Sequence, residues 1–223
     1  MNFDAYLFDA GGVLVLPDPT VLAPLLAVFG GHGHLEEHRR AHYAGMAAKS
    51  VARAGERDWA VYDHAYVRCV GVADHDVAEA SELLGRTRSA HLWRYPIADS
   101  VTALAALVAD ERPVGVVSNA SGQIEAVLRR AGVCQVGEGS GASVRCVVDS
   151  YVVGVAKPDP GIFDHALVHF GGIERHRIAY VGDSVTMDVE ASREAGLHPI
   201  LLDPFDDHPD LDAQRIRSLT ELV

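Results

Sequence analysis

The feature that most constrains this chain is a series of short apolar runs with segments of helical period between them. Ala5–Phe8, Val114–Val117, Arg145–Val148, Ile178–Val181 and Pro199–Leu202 have the length and the β-branched or aromatic content of buried parallel strands. Between them, Val101, Leu104, Ala105 and Val108 share a helical face that Ser100 can cap. Ile124, Val127 and Leu128 share another, with Ser121 as cap and Gly132 as stop. Asp159-Pro160 opens a third helix, carrying Phe163, Leu167 and Phe170, and Ser184–Ala195 reads as a fourth, ended by Gly196. Alternation of this kind predicts a three-layer, Rossmann-like α/β core with a mainly parallel five-stranded sheet.

The alternation lapses in one place. Residues 16–92 contain no convincing strand but hold helical stretches near 20–29, 34–49, 56–70 and 76–92, with Pro17, Pro19 and Pro96 at the junctions. This predicts an inserted all-helical cap over 16–92 and a core made of 1–15 and 93–223. The glycine- and serine-rich Gln135–Ser143 reads as a mobile loop.

Charge narrows the partners. A formal net charge of −12 repels nucleic acid and anionic membrane surfaces, so neither is expected as a partner. It also repels phosphorylated small molecules unless a metal ion or a placed base offsets it. Cys69, Cys134 and Cys146 form no CxxC pair, which suits free thiols in a reduced compartment. The first residues lack a basic leader and carry Asp4 and Asp9 within their apolar stretch, so a cytoplasmic location is expected.

Ligands of an open parallel sheet bind beyond the carboxyl ends of its strands. At those ends the sequence places Asp9, then Ser118 and Asn119, then Asp183, while the loop before Asp159 brings Lys157. Only two of the 19 basic residues are lysines, which makes a lysine on that loop a deliberate choice. Taken singly, Asp9 and Asp183 could be turn or capping residues, and Asp188 a solvated one.

Together these segments resemble the four motifs of the haloacid dehalogenase-like superfamily, in order: YLFDAGGVL, VVSNAS, VAKPDPGIF and VGDSVTMD. The insert's position resembles the helical cap of one large branch of that family. The resemblance implies a hydrolase of small phosphorylated substrates working through an aspartyl-phosphate on Asp9. Magnesium would lie between Asp9, the Gly11 carbonyl and Asp183. Ser118, with the backbone N–H groups near Asn119 and Ala120, would bind phosphoryl oxygens. Lys157 would neutralise developing charge, and Asp188 would support Lys157 or a metal-bound water.

One position departs from the pattern. The family's phosphatases carry a second aspartate two residues after the nucleophile, to move protons; here that residue is Gly11. Losing a general acid–base typically costs about 10²–10⁴-fold in rate. Asp18 or a cap histidine is a candidate replacement. Two other readings stay open: a phosphonatase-like C–P hydrolase using Lys49, and a weakly catalytic phosphate-binding or regulatory module. A dehalogenase dispenses with the metal that Asp183 implies. Lys49 alone reads as a solvated side chain, and His34, His38 and His42, spaced four apart, as a surface face. Arg39 and Arg40 are solvated or face the cleft to select an anion.

Overall fold

A computed structural model describes residues 3–223. In chain order, β1 (Ala5–Phe8) and β2 (Val15–Pro17) are followed by α1 (Pro19–Ala27), α2 (Leu35–Ala52), α3 (Ala60–Cys69) and α4 (Val77–Thr87). Next come β3 (Trp93–Pro96), α5 (Ala98–Ala109), β4 (Val114–Ser118), α6 (Ile124–Arg130), β5 (Cys134–Val136) and β6 (Ala142–Val144). The chain continues through β7 (Val147–Asp149), α7 (Ser150–Val153), α8 (Ile162–Leu167), β8 (Ile178–Gly182), α9 (Ala191–Glu194), β9 (His198–Leu202) and β10 (Gln214–Ile216).

The main sheet has the order β10-β9-β8-β1-β4-β7, and every pairing in it is parallel. It has six strands, one more than the sequence suggests. The extra strand, β10, is a three-residue edge strand of Gln, Arg and Ile with too little apolar content to stand out. Strand β7 also begins two residues later than Arg145, because Val144 belongs to β6.

Side-chain alternation along β1 builds the layers. Tyr6 and Phe8 enter the core under α5 and α6 with Leu104, Leu107 and Leu128. Ala5 and Leu7 enter the opposite core with Ile162, Phe163 and Tyr180. From β1 the chain steps to β4 and β7 on one side, then returns to β8 and continues outward. The strand order therefore reverses between β1 and β8, which is where an open α/β sheet leaves a crevice for ligands.

Helices α1–α4 share a separate apolar cluster of Leu22, Leu26, Tyr62, Tyr66, Val67 and Leu84, while Leu16 and Pro17 belong to β2, a strand where the sequence suggests none. Strands β2 and β3, which flank these helices in the chain, pair antiparallel. Among the described residues, no helix is long and apolar enough to cross a membrane.

Several local expectations change. Ser100 lies inside α5 and donates to the Val13 carbonyl at 2.6 Å. The N-terminus of α6 is served not by Ser121 but by Asp149, whose Oδ2 accepts from the N–H groups of Gly122 and Ile124. Asp159 closes a turn onto the Gly161 N–H, and α8 begins only at Ile162. The helix after Ser184 starts as a π-turn over Val185–Glu190. Residues 135–143 are not a loose loop: β5 and β6 pair in parallel, and the buried Gln135 amide bonds Gly137 and Gly141 across the turn.

Candidate active site

Asp9 leaves the end of β1 and Asp183 the end of β8, the two strands that flank the reversal. Oxygens of Asp9, Asp183 and Asp188 all lie within 4.8 Å of one another. Asp188 comes from the π-turn, which swings its carboxylate back so that Oδ2 accepts from the Ser184 N–H at 2.9 Å.

Lys157 is the counter-charge. It is 2% exposed, and its Nζ lies 2.6 Å from Asp188 Oδ1, 2.8 Å from the Tyr180 hydroxyl and 3.1 Å from Asp9 Oδ2. Burial alone would lower its pKa, but Asp188 and Asp9 push harder the other way, so it stays charged. Asn119 fixes the lysine loop: its amide donates to the Lys157 carbonyl at 2.9 Å and accepts from the Lys157 N–H at 2.8 Å. The Asn119 side chain thus tethers the lysine. Ser118 ends β4, buried at the wall of the same cavity. The Ala120 N–H, expected to face a phosphoryl group, already donates to Ser150 Oγ at 3.1 Å.

Three carboxylates around one ammonium leave excess negative charge. Burial pushes the Asp9 carboxyl up to about 7; Lys157 opposes this, and Asp188 and Asp183 add to it. Burial likewise raises Asp183, against a hydrogen bond from His42. A cluster of hard oxygen donors with unbalanced charge fits a divalent cation. Both Asp188 oxygens already accept protein hydrogen bonds, which suits a supporting place.

The insert reaches this centre. His42 of α2 is 1% exposed, and its Nε2 lies 2.9 Å from Asp183 Oδ2. An ionised Asp183 accepts from Nε2–H, which leaves Nδ1, 2.9 Å from the Tyr62 hydroxyl, to accept from that group. His38 is buried too, bonded to Tyr66. Only His34 of the three behaves as the surface residue expected of all of them. Lys49 is also buried, and it lines the cavity instead of reaching solvent. Arg40 instead pairs with Asp207, and Arg39 with Glu36, neither of them at the cavity. Asp18 is no proton donor to the site: it caps α1 through Thr20 and pairs with Arg94.

Glycines set the shape of the loop after Asp9. A Cβ on Gly11 would sit 3.1 Å from the Trp93 ring, so any side chain there would need the indole to give by a few tenths of an ångström. Gly12 has φ +70°, and a Cβ there would lie 1.8 Å from Asp183 Oδ2 and 2.6 Å from His42 Nε2. Gly12→Ala is therefore expected to cost more than about 1 kcal/mol, from strain at positive φ plus a displaced Asp183. At this chain length the melting temperature should fall by at least about 2–4 °C. An unchanged melt would show that the loop does not need the glycine.

The 310 Å³ cavity over this centre is lined on the core side by Asp9, Ser118, Lys157 and Asp183, and on the insert side by Met46, Lys49, Trp59 and Arg88.

The family model for haloacid dehalogenase-like hydrolases matches residues 3–196, and the chain belongs to that family. It is 35% identical over 112 residues to haloacid dehalogenase-like hydrolase domain-containing protein 3 of Danio rerio, a match spanning 48% of this chain and 43% of that protein, less than half its length. The fold is similar to that of a HAD phosphatase from Thermococcus onnurineus (20% identity, TM-score 0.60, covering 100% of this chain and 96% of that one). It is equally similar to a dehalogenase solved with an intermediate complex (15% identity, TM-score 0.60, covering 99% and 96%).

Proposed function

We propose that this hydrolase cleaves phosphate monoesters of small metabolites, with magnesium, through attack of Asp9 on phosphorus. The observation that carries the reading is the gathering of Asp9, Asp183 and Asp188 beside Lys157. Dehalogenase chemistry needs one attacking carboxylate and no cation. It gives no reason to bury three acids together.

In this reading Asp9 forms the bond to phosphorus as the ester oxygen departs, giving an aspartyl-phosphate that water then hydrolyses. Lys157 holds the carboxylate in place and offsets charge on the transferring group, and Ser118 binds a phosphoryl oxygen. A bound cation would supply further neutralisation of phosphoryl charge. With no side chain on Gly11 to move a proton, good leaving groups are favoured. Residues 16–92 serve as the cap on a core of 1–15 and 93–223, shielding the cavity from water. Three free thiols support a cytoplasmic setting.

One observation favours a second reading. Lys49 is buried in the same cavity, as an imine-forming lysine of a C–P hydrolase would be. That chemistry needs an aldehyde-bearing phosphonate such as phosphonoacetaldehyde.

The test is release of inorganic phosphate from 4-nitrophenyl phosphate and a panel of phosphorylated metabolites, with magnesium and with chelator. Turnover should require the metal. Magnesium at 100 times its dissociation constant should add about 2.7 kcal/mol to stability, or roughly 5–10 °C in melting temperature. The absence of both turnover and a melting shift would sink the reading.

A further inference from the structure

The cavity is also lined by a second buried lysine. Lys49, in the last turn of α2, is 4% exposed. Its Nζ donates to the Glu56 carbonyl at 3.2 Å and lies 3.9 Å from the centroid of the Trp59 ring. Arg88 approaches the same ring, with its guanidinium carbon 4.6 Å from the centroid. The two differ in how they are balanced. Arg88 is ion-paired with the buried Asp63, whereas no carboxylate lies within 4.0 Å of Lys49 among the described residues. An ammonium has three N–H donors. One carbonyl and one indole face leave it under-coordinated on the cavity side.

Burying such a charge is costly unless something pairs with it. Burial in fact presses the Lys49 pKa below its ordinary value, against pull from Glu56. The flanking walls are apolar: the Trp59 and Trp93 rings lie with centroids 6.1 Å apart, tilted by 58°, and Met46 lines the same cavity. The one cavity therefore holds an acid cluster with Lys157, two indoles, and an ammonium with no carboxylate partner.

We propose that Lys49, seated on Trp59, binds a second anionic group on the leaving portion of the substrate, so that the preferred esters carry a carboxylate or a second phosphate. The inference rests on the phosphatase reading and names its substrate class. It assigns Lys49 a binding role and no covalent one. A charge-assisted hydrogen bond of this kind corresponds to about ten- to a hundredfold in kcat/KM.

Three matched esters test it: phenyl phosphate, 4-carboxyphenyl phosphate and 1,4-phenylene bisphosphate, assayed with magnesium. The wild type should prefer at least one charged ester over phenyl phosphate by about tenfold or more, mainly through KM. Whether the carboxylate or the bisphosphate gains identifies the anion. Lys49→Met should collapse that ratio towards one, and Lys49→Arg should keep most of it. A wild-type ratio near one overturns the inference while leaving the phosphatase reading intact, and needs no variant to fold. A ratio that survives Lys49→Met overturns it as well. Failure of Lys49→Arg, together with a borohydride-trapped adduct of phosphonoacetaldehyde on Lys49, replaces it with imine chemistry. No turnover of any ester removes the phosphatase reading, and this inference with it.

Discussion

Asp9→Asn should abolish turnover while leaving the fold at least as stable as before. An amide of nearly the same shape keeps the contact with the Ala10 N–H in place of the 2.7 Å bond made by Asp9 Oδ1, but it has no anion to attack phosphorus. Loss of a nucleophile is among the largest single effects in enzymes, so the rate should fall by at least about 10³-fold. Stability points the other way. Burial holds the Asp9 carboxyl up near 7, which marks the charged form as costly in this site, and the amide removes that cost. Lys157 keeps Asp188 at 2.6 Å and is not stranded. Steady-state assays and thermal melts on the same preparation check both halves. A variant with wild-type rate would overturn Asp9 as the attacking group.

How much of this was legible in the sequence follows from where each residue sits. Asp9, Ser118 and Asp183 each end a strand whose apolar run marks its own boundary, so local pattern places them on one edge of the sheet. Lys157 stood out because the chain uses arginine almost everywhere else. The sheet's sixth strand was illegible: β10 is short and polar, and parallel pairing with β9 brings it in.

The buried face of α2 is hard to read for a different reason. His38, His42, Gly45 and Lys49 follow one another at steps of four, three and four, the spacing of a single buried stripe on α2, with Ala41 beside it. That stripe carries the helix's one glycine, Gly45, where a Cβ would meet the Tyr62 ring at 2.4 Å, which is a signal of close packing. Reading His34, His38 and His42 at a constant step of four drifts around the helix and joins an exposed residue to two buried ones. Which face of α2 meets the core depends on Asp183, some 140 positions away, and on Tyr62 and Tyr66 of α3. No local pattern contains that contact. Tyr180 was missed similarly: it reads as plain strand core, yet its hydroxyl accepts from Lys157.

The largest stability effect is expected at Lys157. Its ammonium, 2% exposed, is shared by Asp188, Asp9 and the Tyr180 hydroxyl, and Asp188 is 1% exposed. Lys157→Met keeps most of the side-chain volume and removes the charge, leaving Asp188 buried with only the Ser184 N–H and the Tyr180 hydroxyl for company. Stranding one partner of a buried ion pair typically costs about 3–5 kcal/mol, which for a chain of this size lowers the melting temperature by roughly 6–20 °C. Removing both charges should recover part of the loss, because Lys157→Met with Asp188→Leu leaves no unpaired ion there. The comparison separates two roles. If the Lys157–Asp188 pair only holds the fold, the double variant should regain activity along with stability. If the pair also serves the reaction, with Lys157 balancing charge on the transferring phosphoryl group, stability should return while turnover stays at least about 10²-fold down. A single variant that melts with the wild type would show that the pair contributes nothing to the fold, and that the acids are balanced by something other than this lysine.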